Sequence, residues 1–165
     1  MCVFGGDGAC LRYLDGSTFR QQWSDTICYW RPDLVLIWLG SNDLNRDGVY
    51  DEAHIQNTYE LHVQLVDELR SRLGPHGMRL IIMPLIPCTT LRWGMTSGDF
   101  FRSIRRFNVH FRRRRLARRI SSESFQMNNY GVFREDGSAL RDGVHLTWEI
   151  FHRICRQIQD QYLNQ

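Results

Sequence analysis

Near the carboxyl end of the sequence an acid precedes a histidine by three residues, in Arg141-Asp142-Gly143-Val144-His145-Leu146-Thr147. A carboxylate at that spacing can accept the Nδ1 proton of the imidazole, which fixes the tautomer and leaves Nε2 as a base. The same residues also describe a surface turn that contains a histidine by chance. Far upstream, Gly40-Ser41-Asn42-Asp43 supplies a side-chain amide, Asn42, able to aim a donor at developing negative charge, as an oxyanion hole requires. That tetrapeptide is equally good turn chemistry. A base held by an acid, together with an amide donor, is equipment for acyl transfer if the chain brings the two together.

The elements around these residues favour that meeting. Asp33-Leu34-Val35-Leu36-Ile37-Trp38-Leu39 is a continuous apolar run that starts after Pro32 and stops at Gly40. Such a run predicts a strand buried on both faces, the kind found in parallel sheets covered by helices. Arg79 to Leu85 is a second run of this type; Cys2-Val3-Phe4 reads as the end of another, and Ser124 to Met127 as a short fourth. Helices are predicted between them. Phe19, Trp23, Ile27 and Trp30 recur at spacings of three and four within Thr18 to Trp30. Between Glu52 and Leu73, the residues Ile55, Tyr59, His62, Leu65, Leu69 and Leu73 trace one face, and Gly74-Pro75 ends it. Ile104, Phe107 and Phe111 give a later segment a narrower stripe, and a last helix opens at Thr147 as its cap, with Phe151, Ile154, Cys155, Ile158 and Tyr162 inward. Strands alternating with such helices predict a single three-layer α/β/α sandwich. Sites in open sheets of that type form at the carboxyl ends of the strands. That is where both motifs fall.

In combination, a G-x-N-D loop after a buried strand and D-G-V-H-L-T opening the final helix resemble the third and fifth signature blocks of the SGNH (GDSL-type) hydrolases. The likeness covers nearly the whole chain, from Cys2 to the last helix. It implies a flavodoxin-like α/β fold and hydrolysis of a small ester through a serine, with no metal and no cofactor. Asn42 would be an oxyanion-hole donor, His145 the general base and Asp142 its orienting acid. Phe4-Gly5-Gly6-Asp7-Gly8-Ala9 is similar to the second block, a glycine turn whose backbone N–H is another oxyanion donor, and Gly8 best matches that donor; a plain glycine-rich turn is the alternative. Asn108 falls in the helix before the family's last strand, as a position packed near the site.

One block departs from the pattern. The family's first strand ends in Gly-Asp-Ser, whose serine attacks the ester, and no Gly-Asp-Ser occurs in this sequence. Gly6-Asp7-Gly8 has the first two letters, but one short helix between it and Asn42 leaves no room for a second strand and turn. The expectation is therefore a chain that begins inside the domain, without its first strand and inactive alone. Ser41, beside Asn42, reads as a cap or turn residue, and Cys10 as a packed thiol. Without a nucleophile, the remaining groups would supply only weak general-base hydrolysis.

Composition agrees with an ordinary globular domain of 165 residues. No apolar run reaches the roughly 20 residues a bilayer requires, so no membrane partner is expected. The segment Met1 to Gly6 lacks the basic and apolar regions of a signal peptide. A cytoplasmic protein follows, unless an upstream segment carries a targeting signal. Five widely spaced cysteines, Cys2, Cys10, Cys28, Cys88 and Cys155, suggest neither a disulfide framework nor a zinc site. All 21 basic residues are arginine. Nine of them lie between Asp99 and Ile120, against Asp99 alone, so this stretch carries +8 and leaves −5 for the rest of a chain whose total is +3. Arg102 to Arg119, interleaved with Phe101, Phe107 and Phe111, would suit nucleic acid or another polyanion as a partner. It equally suits a solvated helix face whose arginine stems cover apolar surface. A non-enzymatic binding module of the same fold is thus the second expectation.

Overall fold

The apolar run after Pro32 forms strand β1, Leu34–Ile37, and the second run forms β2, Arg79–Ile82. In this computed structural model, residues 18–45, 50–73, 77–91, 94–116, 123–124, 138–142 and 145–163 are described. The segment Cys2 to Phe4, Gly8 and Cys10 lie outside them. The two strands pair in parallel with Val35 opposite Leu80 and Ile37 opposite Ile82. A third, two-residue strand β3, Glu123–Ser124, pairs in parallel with Ile81 and Ile82 of β2, giving the order β1-β2-β3. Parallel neighbours need a crossover. Helix α3, Glu52–Leu73, supplies one, and α4, Ser97–Leu116, lies between β2 and β3.

Side chains alternate across a strand, and this alternation builds two cores. Val35, Ile37, Leu80 and Ile82 join one cluster with Ile55, Tyr59, Leu65, Val66, Leu69 and Leu73 of α3 and Phe100, Ile104 and Phe107 of α4. Ile81 and Met83, with Leu34 and Leu36 against them, join a second cluster containing Ile154 and Ile158 of the last helix, α5, Trp148–Ile158. Helices therefore cover both faces, as the unbroken apolar runs require. Helix α1, Thr18–Trp30, adds Ile27 and Cys28 to the first cluster and is tied to α3 by Arg72 on Asp25 at 2.7 Å. No helix among the described residues is long and apolar enough to cross a membrane.

The predicted α3 stripe is buried throughout, Ile55, Tyr59, His62, Leu65, Leu69 and Leu73 included. Of the predicted α1 face, Ile27 is partly buried against the first cluster and Trp30 departs from the expectation. It is 61% exposed and meets Tyr29 edge-on, because α1 ends there and Arg31 turns out of the helix at φ 43°. The strands are also shorter than the apolar runs. Met83 N–H still donates to Ile37 O at 2.8 Å, but Pro84 has no N–H to continue the ladder. Beyond it the side chain of Asn108 stands in for a neighbouring strand. Its Oδ1 accepts from Leu85 N–H at 2.9 Å and its Nδ2 donates to Leu85 O at 2.8 Å. The side chains of Phe19, Trp23, Phe111 and Tyr162 lie outside what is described.

Candidate active site

Gly40 follows β1 with φ 116°, a left-handed conformation that glycine adopts without steric cost. The chain then closes a single helical turn, α2, Ser41–Leu44, in which Leu44 N–H reaches Gly40 O at 3.1 Å and Asn45 N–H reaches Ser41 O at 3.0 Å. Asn42 sits half-buried in that turn, while Asp43 and Leu44 are fully buried and anchor it. Ser41 is the first residue of α2, consistent with a turn role.

Asp142 and His145 are held by a tight loop leading into α5. Leu140 and Leu146 form an antiparallel bridge, Arg141 N–H donates to His145 O, and Thr147 N–H donates to Ala139 O, both at 2.9 Å. Thr147 then caps α5 as its sequence position suggests, its hydroxyl accepting from Ile150 N–H. Within the loop the Asp142 carboxylate takes two bonds from the same histidine. Oδ1 accepts the backbone N–H of His145 at 2.7 Å, and Oδ2 accepts from ring Nδ1 at 2.7 Å. A carboxylate only accepts, so Nδ1 carries the proton and Nε2 keeps its lone pair. Both side chains are about half exposed, so a base at this position would be open to a substrate. Trp148, three residues further on at the start of α5, is 62% exposed, with the Arg141 guanidinium 5.1 Å above its ring.

The two motifs are joined by the segment that follows β2. Asn45 Nδ2 donates to Cys88 Sγ at 3.8 Å, Cys88 Sγ donates to Thr90 O at 3.5 Å, and Thr90 Oγ1 donates to Asp142 O at 3.2 Å. The loop of Asn42 and the loop of Asp142 and His145 therefore share the carboxyl-end rim of the sheet. Gly8 and the linking residues Gly143 and Val144 lie outside the described residues.

Several contributors were not visible as such in the sequence. His62, predicted only as part of an apolar stripe, is fully buried and donates from Nε2 to Leu39 O at 2.6 Å. Burial holds its pKa down at about 4, against the opposing effect of that hydrogen bond. His54 donates from Nε2 to Asp43 O at 2.7 Å. Cys28 and Cys155 are partly buried thiols whose pKa values burial raises, and among the described residues no group of three or more His, Cys, Asp and Glu side chains could hold a metal ion.

No protein-family model matches the chain, and no curated protein matches it. Five solved chains do, among them these two. One is a Bacteroides fragilis protein provisionally named an acylhydrolase, 17% identical, matched over 95% of this chain and 71% of that one with a TM-score of 0.60. The other is a Parabacteroides merdae protein provisionally named a GDSL-like lipase, 14% identical over 93% of this chain and 68% of that one, with a TM-score of 0.55. The chain has the α/β fold of the SGNH (GDSL-type) hydrolases. At these identities the likeness is one of fold.

Proposed function

We propose that this chain is an SGNH-type ester-hydrolase domain that carries the base and oxyanion half of the site without the serine nucleophile. The observation that supports the reading is the pair of hydrogen bonds from His145 to Asp142, because a ring bonded through Nδ1 has Nε2 left to act as a base. His145 takes a proton from water as its oxygen bonds to the ester carbonyl, Asp142 holds the resulting imidazolium, and that proton passes to the departing alkoxide as the ester C–O bond breaks. The Asn42 amide, with the backbone N–H of Gly8, receives the oxyanion of the tetrahedral intermediate. The substrate is a small ester, its apolar part resting on Trp148. Since no Gly-Asp-Ser occurs in the sequence, water attacks directly and no acyl-enzyme accumulates.

The test is exposure of the folded chain to a fluorophosphonate serine probe, read by intact mass, beside His145→Ala. The reading predicts no adduct on either protein. A stoichiometric adduct that disappears in His145→Ala would show that a serine of this chain is a nucleophile.

A second reading, binding of a polyanion by α4, is favoured by Arg105 and Arg112, both exposed on that helix. Arg106, by contrast, is engaged with Glu52 at 2.9 Å, and Arg102 lies over Tyr50 at 5.2 Å. Part of the basic segment therefore ties α4 to the start of α3.

A further inference from the structure

We infer that His54 and His62 of α3 are positioning residues that clamp the Asn42 loop at its two ends. His62 Nε2–H donates to the carbonyl of Leu39, immediately before Gly40, at 2.6 Å. His54 Nε2–H donates to the carbonyl of Asp43, immediately after Asn42, at 2.7 Å. The two histidines are eight residues apart on α3, close to two full turns, so one helix face presents both rings to one loop. Between the two gripped carbonyls lie only Gly40, Ser41 and Asn42.

The ring of His62 and the backbone of His54 are themselves held. His62 is fully buried and packs on Phe107 of α4 with centroids 5.3 Å apart. Thr58, fully buried one turn after His54, donates its hydroxyl to His54 O at 3.0 Å. The loop needs outside partners, because a single helical turn leaves carbonyls at its end without intrahelical donors. Backbone carbonyls only accept, so Nε2 must carry the proton in both rings. A donor aimed at an oxyanion is useful only when its position is set beforehand. The clamp itself is a matter of the fold; its importance for chemistry rests on the proposed role of Asn42.

Long-range proton–nitrogen spectra of the uniformly labelled chain read the tautomers directly. Nε2–H on both His54 and His62 is expected, and Nδ1–H on either would overturn the clamp. Amide hydrogen exchange then tests its mechanical effect in His62→Leu and His54→Leu, which remove the donor, against His62→Gln and His54→Gln, whose amide restores it. In the Leu variants, exchange at Leu44 and Asn45 should accelerate on the order of tenfold, as loss of one buried hydrogen bond allows. Exchange at Met83, in the β1–β2 ladder, should hold steady, and the Gln variants should stay near the parent. Unchanged exchange in folded Leu variants, or Gln variants that exchange as fast as Leu, would sink the proposal. If His62→Leu fails to fold, the spectra and the His54 pair still decide it. Hydrolysis of p-nitrophenyl acetate separates the two claims. A lower kcat at unchanged KM in the Leu variants supports both. Accelerated exchange with unaltered hydrolysis leaves the clamp standing and removes Asn42 from the chemistry.

Discussion

Asp142 accepts from both the main chain and the ring of His145, so replacing its carboxylate does more than remove a charge. In Asp142→Asn the side-chain NH2 cannot accept from Nδ1–H, so the contact survives only with the imidazole proton moved to Nε2, which removes the base. The expected result is a fall of at least tenfold in any His145-dependent ester hydrolysis, read with p-nitrophenyl acetate, with little change in the fold because the pair is half exposed. His62 makes a different prediction. Its pKa is about 4 in the fold and 6.5 as the ordinary value, so the neutral ring is the folded form. Stability from this residue is complete above pH 6.5 and declines as pH falls toward 4, since the unfolded chain binds the proton first. At pH 5 the loss is about 2 kcal/mol relative to pH 7. Urea unfolding at the two pH values should show that loss in the parent and not in His62→Gln; equal pH dependence would contradict it. The acid–histidine pair was legible because three residues of spacing suffice for the contact. His54 and His62 were not, since a histidine on an apolar stripe looks like any other core position until the strand end it faces is known.

The junction of α4 with the sheet depends on one amide more than on the arginines. Asn108 satisfies both backbone groups of Leu85 where Pro84 has stopped the ladder. Asn108→Ala should cost about 1–3 kcal/mol in urea unfolding, because partners are lost from both a donor and an acceptor. A change below about 0.5 kcal/mol would show that water replaces the amide without penalty. Glu52 collects Tyr50 Oη–H, Arg106 and His110 within 3.0 Å. These hydrogen bonds, that of Tyr50 foremost, hold its pKa at about 2. The carboxylate is nearly half exposed, so Glu52→Gln should cost less than about 1 kcal/mol. Its contribution is present above about pH 4.5 and is lost only as pH falls through 2. The helices were legible because apolar periodicity and caps are local: α1 and α3 begin and end where their spacing predicts. The strand ends were less so, because an apolar run does not say where the hydrogen-bonded ladder gives way to a side-chain partner such as Asn108.

At the scale of the whole molecule, apolar strands on both faces required two cores, and the helices supply them. The class of fold was therefore readable from the alternation of runs and stripes. Charge is less directly readable: nine arginines in one stretch suggest a polyanion site, yet Arg106 serves the α3–α4 contact. If α4 binds nucleic acid, affinity for a labelled duplex should fall linearly on a log–log plot against salt, and Arg105→Gln with Arg112→Gln should shallow the slope by about two. A slope unaffected by that pair would place any binding elsewhere. The central claim concerns what the rim of the sheet does with an ester. Pre-steady-state hydrolysis of p-nitrophenyl acetate by the folded chain tests it most directly. The account predicts slow linear release of nitrophenol from the first turnover, abolished in His145→Ala. A burst stoichiometric with protein would mean an acyl-enzyme forms, and release equal in His145→Ala would mean the Asp142–His145 pair is not the base.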